Sequence, residues 1–283
     1  MSCTLIILNY NDSQRAVTLA RRCQLFSSIK HIVVVDNCST DDSLDVLRTA
    51  QNSCEFDLCL ALENKGFASG NNIGAKYAIA HFSPDYLLFA NTDTEFTDDD
   101  IIECLNVISN NPKIGLLSMR MKDSNGKEER SSWRRKTTAQ YLLSNLWLYR
   151  HLTYLNDHTS FESNNKFQIV DIVRGSFMLF NAKVLESVGY FDEGTFLYYE
   201  EECISQRLRD RNFYVASLTD RYYVHRHISK GTDLLNQSRV MNQSLLYYLR
   251  TYRHISLIVQ LLFMILSAYS LFELRVIALI KSI

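Results

Sequence analysis

Apolar and polar positions alternate in two rhythms along the first 120 residues. Short β-branched and aliphatic runs, Thr4–Leu8, His31–Asp36, Leu58–Leu62, Tyr86–Ala90 and Ile114–Met119, read as strands. Between them lie amphipathic stretches that read as helices: Ser13–Leu25, a segment from about Asp41 capped by Ser39 or Thr40, Gly66–Ala80 and Asp98–Asn110. Strands separated by helices predict a parallel sheet covered on both faces. Ligands in such sheets sit beyond the carboxyl ends of the strands. The candidate loops are therefore Asn9–Asp12, Asp36–Ser39, Glu63–Gly70 and Asn91–Glu95.

The rhythm changes after residue 120. Asp123–Lys127 is a turn signal between extended runs, and 134–168 is polar and aromatic without a clear period. Val170–Phe180 reads as a strand, Ala182–Val188 and Tyr199–Asp210 as helices, and Arg221–His225 as a late strand. Leu234–Arg253 is helical. An uncharged run of 18 residues, 255–272, follows it. As a helix it spans about 27 Å, near the lower limit for crossing a bilayer. Ser256, Gln260, Ser267, Ser270 and Glu273 fall close to one helical face. That stripe favours a helix lying in a membrane interface, or packed on the domain or another copy, over one that spans the membrane. Arg250, Arg253 and His254 precede the run and suit anionic headgroups.

Composition narrows the class. The chain has 283 residues, 47% of them hydrophobic and 22% charged, which excludes a disordered or low-complexity protein. A formal net charge of -1 lacks the basic excess of a general nucleic-acid binder. The seven cysteines are scattered, odd in number and without a C-x-x-C pair, so a reducing compartment is expected and a zinc or disulfide framework is not. The N-terminus reads as a first strand and not as a signal peptide.

Four polar clusters could carry chemistry. Asp36 ends a buried strand and could accept the imide N–H of a pyrimidine; as a plain turn residue it would cap the next helix. Glu63–Gly74 is glycine-rich and opens a helix, which suits a close backbone approach to an anion or a simple loop. Asp93 follows an apolar strand and could hold a hard cation together with substrate phosphates. Asp98, Asp99 and Asp100 read as the acidic first turn of a helix. Glu200, Glu201 and Glu202 stand behind aromatics at a helix start, either as a solvated first turn or with one carboxylate as a general base. Burial and a like-charge neighbour would raise the pKa of such a base. Two histidines, His225 and His227, lie two apart on a late strand, where a structural role is the commoner one.

Taken in order, these stretches resemble family 2 glycosyltransferases of the GT-A fold, and within them a rhamnosyltransferase-like bacterial branch. The matching text is Asn9-Tyr10-Asn11, Val33–Ser43, Glu63–Gly74, Leu87–Phe96, Arg174–Glu193, Phe196–Arg207 and Val224–His227. The resemblance implies an α/β, Rossmann-like nucleotide-binding domain over 1–232, with a mixed, mostly parallel sheet flanked by helices. Within it, 1–119 is the nucleotide-sugar half and 120–232 the acceptor half, and 233–283 is a helical C-terminal appendage. Tyr10 and Asp36 would then contact the donor nucleotide, and Asn64 and Gly66 would flank the donor. Asn9, Asn91, Arg174 and Glu200 complete the substrate-binding set. Asp93 matches the last carboxylate of the family's D-x-D motif, whose first position is Asn91 here. Glu201 falls where the family places its catalytic base, one methylene longer than the usual Asp. Cys203 replaces a carboxylate two positions on. His225 falls where related enzymes keep a metal-binding histidine.

The implied reaction is an inverting transfer, aided by Mg²⁺ or Mn²⁺, from a nucleoside-diphosphate sugar. A dTDP- or UDP-linked donor is favoured, with rhamnose first, and the acceptor is a glycan or lipid-linked hydroxyl in bacterial surface-polysaccharide synthesis. No nucleic-acid partner is expected. The expected place is the cytoplasm at the inner face of the membrane, with peripheral contact through 255–280 and scope for a homo-oligomer. The Asn91 and Cys203 departures leave a non-catalytic nucleotide- or glycan-binding scaffold as the alternative. A nucleotidyltransferase would require a glycine- and basic-rich loop after the first strand, where Leu8–Gln14 reads LNYNDSQ. Trp133, Trp147 and nearby tyrosines could stack on acceptor sugars or pack a core.

Overall fold

The computed structural model describes residues 1–146, 149, 166–226 and 233–281. Four parallel strands form one side of the sheet: β1 (Cys3–Asn9), β2 (Ile29–Asp36), β3 (Asp57–Leu60) and β4 (Tyr86–Asn91), in spatial order β3-β2-β1-β4. The crossovers are α1 (Ser13–Cys23), α2 (Ser43–Ala50) and α3 (Phe67–Phe82). After β4 come β5 (Thr94–Glu95), α4 (Asp98–Asn110), β6 (Ile114–Lys122), β7 (Glu128–Glu129), β8 (Ser132–Trp133) and α5 (Thr138–Leu143). The described chain resumes with β9 (Phe167–Val170), β10 (Ile172–Val173), β11 (Phe177–Asn181), α6 (Ala182–Ser187), α7 (Glu200–Asp210) and β12 (Tyr214–His225). It ends in α8 (Leu234–Arg253) and α9 (Leu257–Lys281).

The sheet continues from β4 through β11, β6 and β12 to β5. β11 runs antiparallel to both of its neighbours, and β12 runs parallel to β6. The result is the expected mixed, mostly parallel sheet. Its central strands are buried on both faces, which explains their unbroken apolar runs; Ile32, Val33, Val34 and Val35 are each at most 4% exposed. One face packs against α1, α2 and α4, the other against α3, α6 and α7. α4 begins with a reciprocal cap between Thr97 and Asp100, while the Asp98 carboxylate accepts from the backbone and hydroxyls of Ser27 and Ser28. Those acids are structural, as their place in a first turn suggested.

Two local expectations need correction. α2 starts at Ser43 and not near Asp41, because the Ser39 hydroxyl is engaged by Asp36 and Asn9 instead of capping the helix. Val170–Phe180 is not one strand but parts of three, broken at Asp171 and again at Arg174-Gly175-Ser176. At the second break Arg174 N donates to Ser131 O, next to the β8–β10 pairing, before the chain rejoins the main sheet as β11. Trp147 and His227 lie outside the described residues.

The C-terminal helices are packed onto the second half of the sheet domain. Tyr141, Cys203, Leu245, Tyr248, Leu249 and Phe263 form a third core joining α5, α7, α8 and α9. Asp192 ties α8 down: it accepts from Tyr247 and Tyr252 and pairs with Arg207 at 2.9 Å. Those bonds and the Arg207 charge hold its carboxyl below the usual range despite burial.

Candidate active site

Strand register brings the site together. β11 pairs with β4 so that Phe177 faces Ala90, which puts Arg174-Gly175-Ser176 just beyond the carboxyl end of β4. Asn91 N donates to Ser176 O there, at 3.0 Å. β12 pairs with β5 so that His225 faces Thr94, and Arg226 N donates to Asp93 O. Asp93 is therefore held between two elements remote in sequence. His225 Nε2 lies 3.1 Å from Asp93 Oδ1.

Two cavities meet at this point. The first, about 520 Å³, is lined by Tyr10, Asp12, Asn37, Asn64, Gly66 and Thr92 among others. The second, about 640 Å³, holds Trp133, Tyr141, Arg174, Glu200, Glu201, Glu202 and His225. Asn91, Asp93, Phe67 and Leu197 line both. Each volume lies in the range of ordinary small-molecule sites. Asp93 and Glu201 thus face one shared space.

A polar network lies beneath the first cavity. Asn9 Nδ2 donates to Asp36 Oδ1 at 2.9 Å and to Ser39 Oγ at 3.1 Å, and Ser39 N donates to Asp36 Oδ2. Asn9 and Asp36 are buried and line neither cavity; Tyr10, 45% exposed, stands at the rim. Asn64 Oδ1 accepts from Gly66 N and from Asn37 Nδ2, which fixes the glycine-rich loop over the β2 end. Gly66 has φ +96°, and a Cβ there would lie 1.9 Å from Phe196 O. Only glycine permits this approach, which lets Phe67 N donate to Phe196 O and seats the loop on the segment leading to the glutamates.

The second cavity is built differently. Tyr198 and Tyr199 have φ 71° and 67°, consecutive left-handed residues that turn the chain sharply into α7. Such backbone costs of order 1–3 kcal/mol per residue and persists where the surroundings enforce it. Here Gln237 and Ser244 of α8 hold it, donating to Tyr198 Oη at 2.7 Å and Leu197 O at 2.8 Å. The turn sends all three glutamates to the cavity wall. Glu201 Oε1 accepts from Gly175 N at 2.9 Å, and a Cβ on Gly175 would lie 2.8 Å from that oxygen. Desolvation raises the Glu201 pKa, against the Gly175 amide and the Arg174 charge. Glu202 accepts from Trp133 Nε1 at 3.3 Å, and burial beside Glu201 pushes it to about 8. Burial also drives Glu200 well above the usual range. Arg174 Nε and Glu200 Oε2 are buried with no hydrogen-bond partner among the described residues.

The Asp93–His225 pair suits a small divalent cation. One carboxylate and one imidazole offer two ligands at the cavity junction, and no cluster of three or more ligating side chains occurs among the described residues. The rest of a coordination shell would come from diphosphate and water, the usual arrangement for Mg²⁺.

Asp12 and Thr92, hydrogen-bonded at 2.6 Å, line the first cavity from two of the candidate loops, though neither was singled out as a residue. Other lining residues carry no signal in the sequence. Arg130, Lys136, Gln237 and Met241 reach the second cavity from stretches without a motif.

The model of glycosyl transferase family 2 matches residues 4–189, so the chain belongs to that family. The low-salt glycan biosynthesis hexosyltransferase Agl10 of Haloferax volcanii is 28% identical over 213 residues, which are 75% of this chain and 63% of that protein. The chain thus spans less than two thirds of that relative's length. Among solved structures, the mannosyltransferase PcManGT of Pyrobaculum calidifontis, in complex with GDP-Man and Mn²⁺, superposes with a TM-score of 0.59 at 13% identity, covering 95% of this chain and 71% of that one. GalNAc-T7 with UDP, GalNAc and Mn²⁺ superposes at 0.65 and 13% identity, covering 89% and 49%. At this identity the likeness shows the fold.

Proposed function

We propose that this chain is a divalent-cation-dependent, inverting glycosyltransferase that moves a sugar from a nucleoside diphosphate to a glycan or lipid-linked hydroxyl. The observation that carries the reading is that Asp93 and Glu201 line one shared cavity. The first cavity takes the nucleoside diphosphate, with Tyr10 at its rim and the Asn64–Gly66 loop along one side. The second takes the acceptor against Trp133, Tyr141 and Tyr199. The family model, and the GDP-Man and UDP of the structural neighbours, support a nucleotide-activated donor. Rhamnose on dTDP is the first donor to test, followed by UDP- and GDP-hexoses.

Glu201 takes the proton of the acceptor hydroxyl as that oxygen attacks the anomeric carbon. The new C–O bond forms as the bond to the diphosphate breaks, and the nucleoside diphosphate leaves with the electron pair. Gly175 N aims the carboxylate, and Arg174 beside it meets developing negative charge. General-base assistance contributes typically about 10²–10⁴-fold. A bound Mg²⁺ or Mn²⁺ held by Asp93 and His225 would supply Lewis-acid stabilisation of the leaving diphosphate. A reducing cytoplasm, where seven scattered thiols persist, and bacterial surface-polysaccharide synthesis are the setting we infer.

The test is a thermal-shift screen of dTDP-rhamnose, UDP-glucose, UDP-galactose and GDP-mannose with and without Mn²⁺. At a hundredfold excess over Kd, a ligand of the native state adds about 2.7 kcal/mol, roughly 5–10 °C for a domain of this size. We expect one sugar nucleotide to reach that shift with Mn²⁺, and Asp93→Ala to abolish it. No shift with any donor would overturn the reading.

A further inference from the structure

The outer face of α9 is apolar where a surface helix is usually polar. Leu257, Ile258, Leu261, Leu262, Met264, Ile265, Tyr269 and Phe272 are exposed, the first two by about four fifths. Ser267 and Ser270 are buried on the opposite face, beside Phe263 at 2% exposure. The helix is long and apolar enough to cross a membrane, and little of it is covered by the rest of the protein. It does not stand apart from the domain, however. Phe263 is locked among Tyr141, Leu245, Tyr248 and Leu249, so a spanning position would empty that core.

Cations flank the helix at both ends of its apolar run. Arg250, Arg253 and His254 precede the apolar run, and Arg275 follows it, exposed. Arg253 Nη1 donates to Lys136 O, which anchors the basic stretch Arg130, Arg134, Arg135, Lys136 beside the α8–α9 turn. Arg134 and Arg135 are exposed, while Arg130 and Lys136 line the second cavity. Glu273 is the one acid within α9. An apolar face bordered by cations complements an anionic lipid surface, with hydrocarbon in the middle and headgroup phosphates at the edges. A second copy would meet the same cations, like against like.

We propose that α9 lies in the plane of an anionic lipid surface with the Leu261–Ile265–Phe272 face buried in it, and that the 130–136 stretch and the α8–α9 turn contact the headgroups. This rests on the acceptor side of the proposed reaction, and it adds that the acceptor cavity opens at the lipid surface, so that the acceptor is an amphiphile presented there. Ser267 and Ser270 of the polar stripe foreseen on this helix thus turn inward, and the apolar face is what remains for the membrane.

The test is flotation of the full chain, without donor, on phosphatidylcholine vesicles and on vesicles with 30% phosphatidylglycerol (about a third of the lipid, the usual choice for a strongly anionic surface). The account predicts at least tenfold stronger binding to the anionic vesicles, released by 0.5 M NaCl, about tenfold the charge screening of dilute buffer. Leu261→Glu with Ile265→Glu should lower binding at least tenfold. Arg134→Glu with Arg250→Glu should remove the anionic preference. Both variants should keep the donor thermal shift, which shows that they fold and separates this test from that of the transferase reading. Equal binding to both vesicles, or none, overturns the proposal. So does release by detergent alone, the mark of a spanning helix, or a solution dimer that Leu261→Glu dissociates.

Discussion

The two cavities are built on opposite plans. In the first, Asn9, Asp36 and Ser39 bond one another and Asn37 Nδ2, Asn64 and Gly66 hold the loop, while Asn37 Oδ1 is buried without a partner among the described residues. Its groups come from loops next to their own strands. The second cavity gathers α5, α7, α8 and the 174–176 break from remote parts of the chain. It also keeps polar atoms buried and unpartnered, Arg174 Nε and Glu200 Oε2 among them. On the proposed reading, the loop held by Asn64 and Gly66 suits the constant nucleoside diphosphate, and the buried acidic groups of the second cavity are costs that a bound acceptor would relieve.

The largest expected effect breaks the junction between the two. Asp93→Ala and His225→Ala should each lower kcat/KM by about 10³-fold, the scale of lost Lewis-acid stabilisation. The double variant should be little worse than either single one, because the pair acts as a unit. Steady-state kinetics across a Mn²⁺ titration checks this; simple multiplication of the two losses would separate the residues.

The next effect tests the loop of the first cavity. Gly66→Ala forces a Cβ onto Phe196 O at a positive φ, and should cost about 1–3 kcal/mol. The melting temperature should fall by several degrees, with weaker donor binding. Gly126→Ala is the control: φ is +80° but no atom lies within 4 Å, so only the smaller backbone penalty applies.

The smallest effect reports on the second cavity. Glu202 has an ordinary carboxyl value of 4.5 when unfolded and about 8 when folded, so the native state binds its proton more tightly. Its stabilising contribution is full below pH 4.5 and is lost as pH rises through 8. Glu202→Gln, neutral at every pH, should flatten the fall in melting temperature between pH 5 and 9. An unchanged slope would assign the loss to Glu200 or Glu201.

The same contrast explains what could be read in the sequence. β1, β2, β4, α4 and their loops were legible because buried strands and capped helices write a local period, and because functional groups such as Asp93 follow directly on a strand. The Val170–Phe180 stretch misled because its apolar run hides a break at which Arg174 N donates to Ser131 O. Asp36 looked like a ligand contact, yet the structure holds it beneath the first cavity, organised by Asn9 and Ser39. The partners of Glu202 and Tyr198, Trp133 and Gln237, were invisible because their contacts span 69 and 39 residues. Polarity along α9 showed a stripe, but not which side of it would face the protein.

The most direct test of the account is transfer by Glu201→Gln in the presence of Mn²⁺, with donor binding measured on the same preparation. The account predicts an unchanged donor thermal shift and a turnover about 10²–10⁴-fold lower, with the acid limb of the wild-type pH profile above the ordinary carboxylate value of 4.5. Wild-type turnover in that variant, with donor bound, would contradict it.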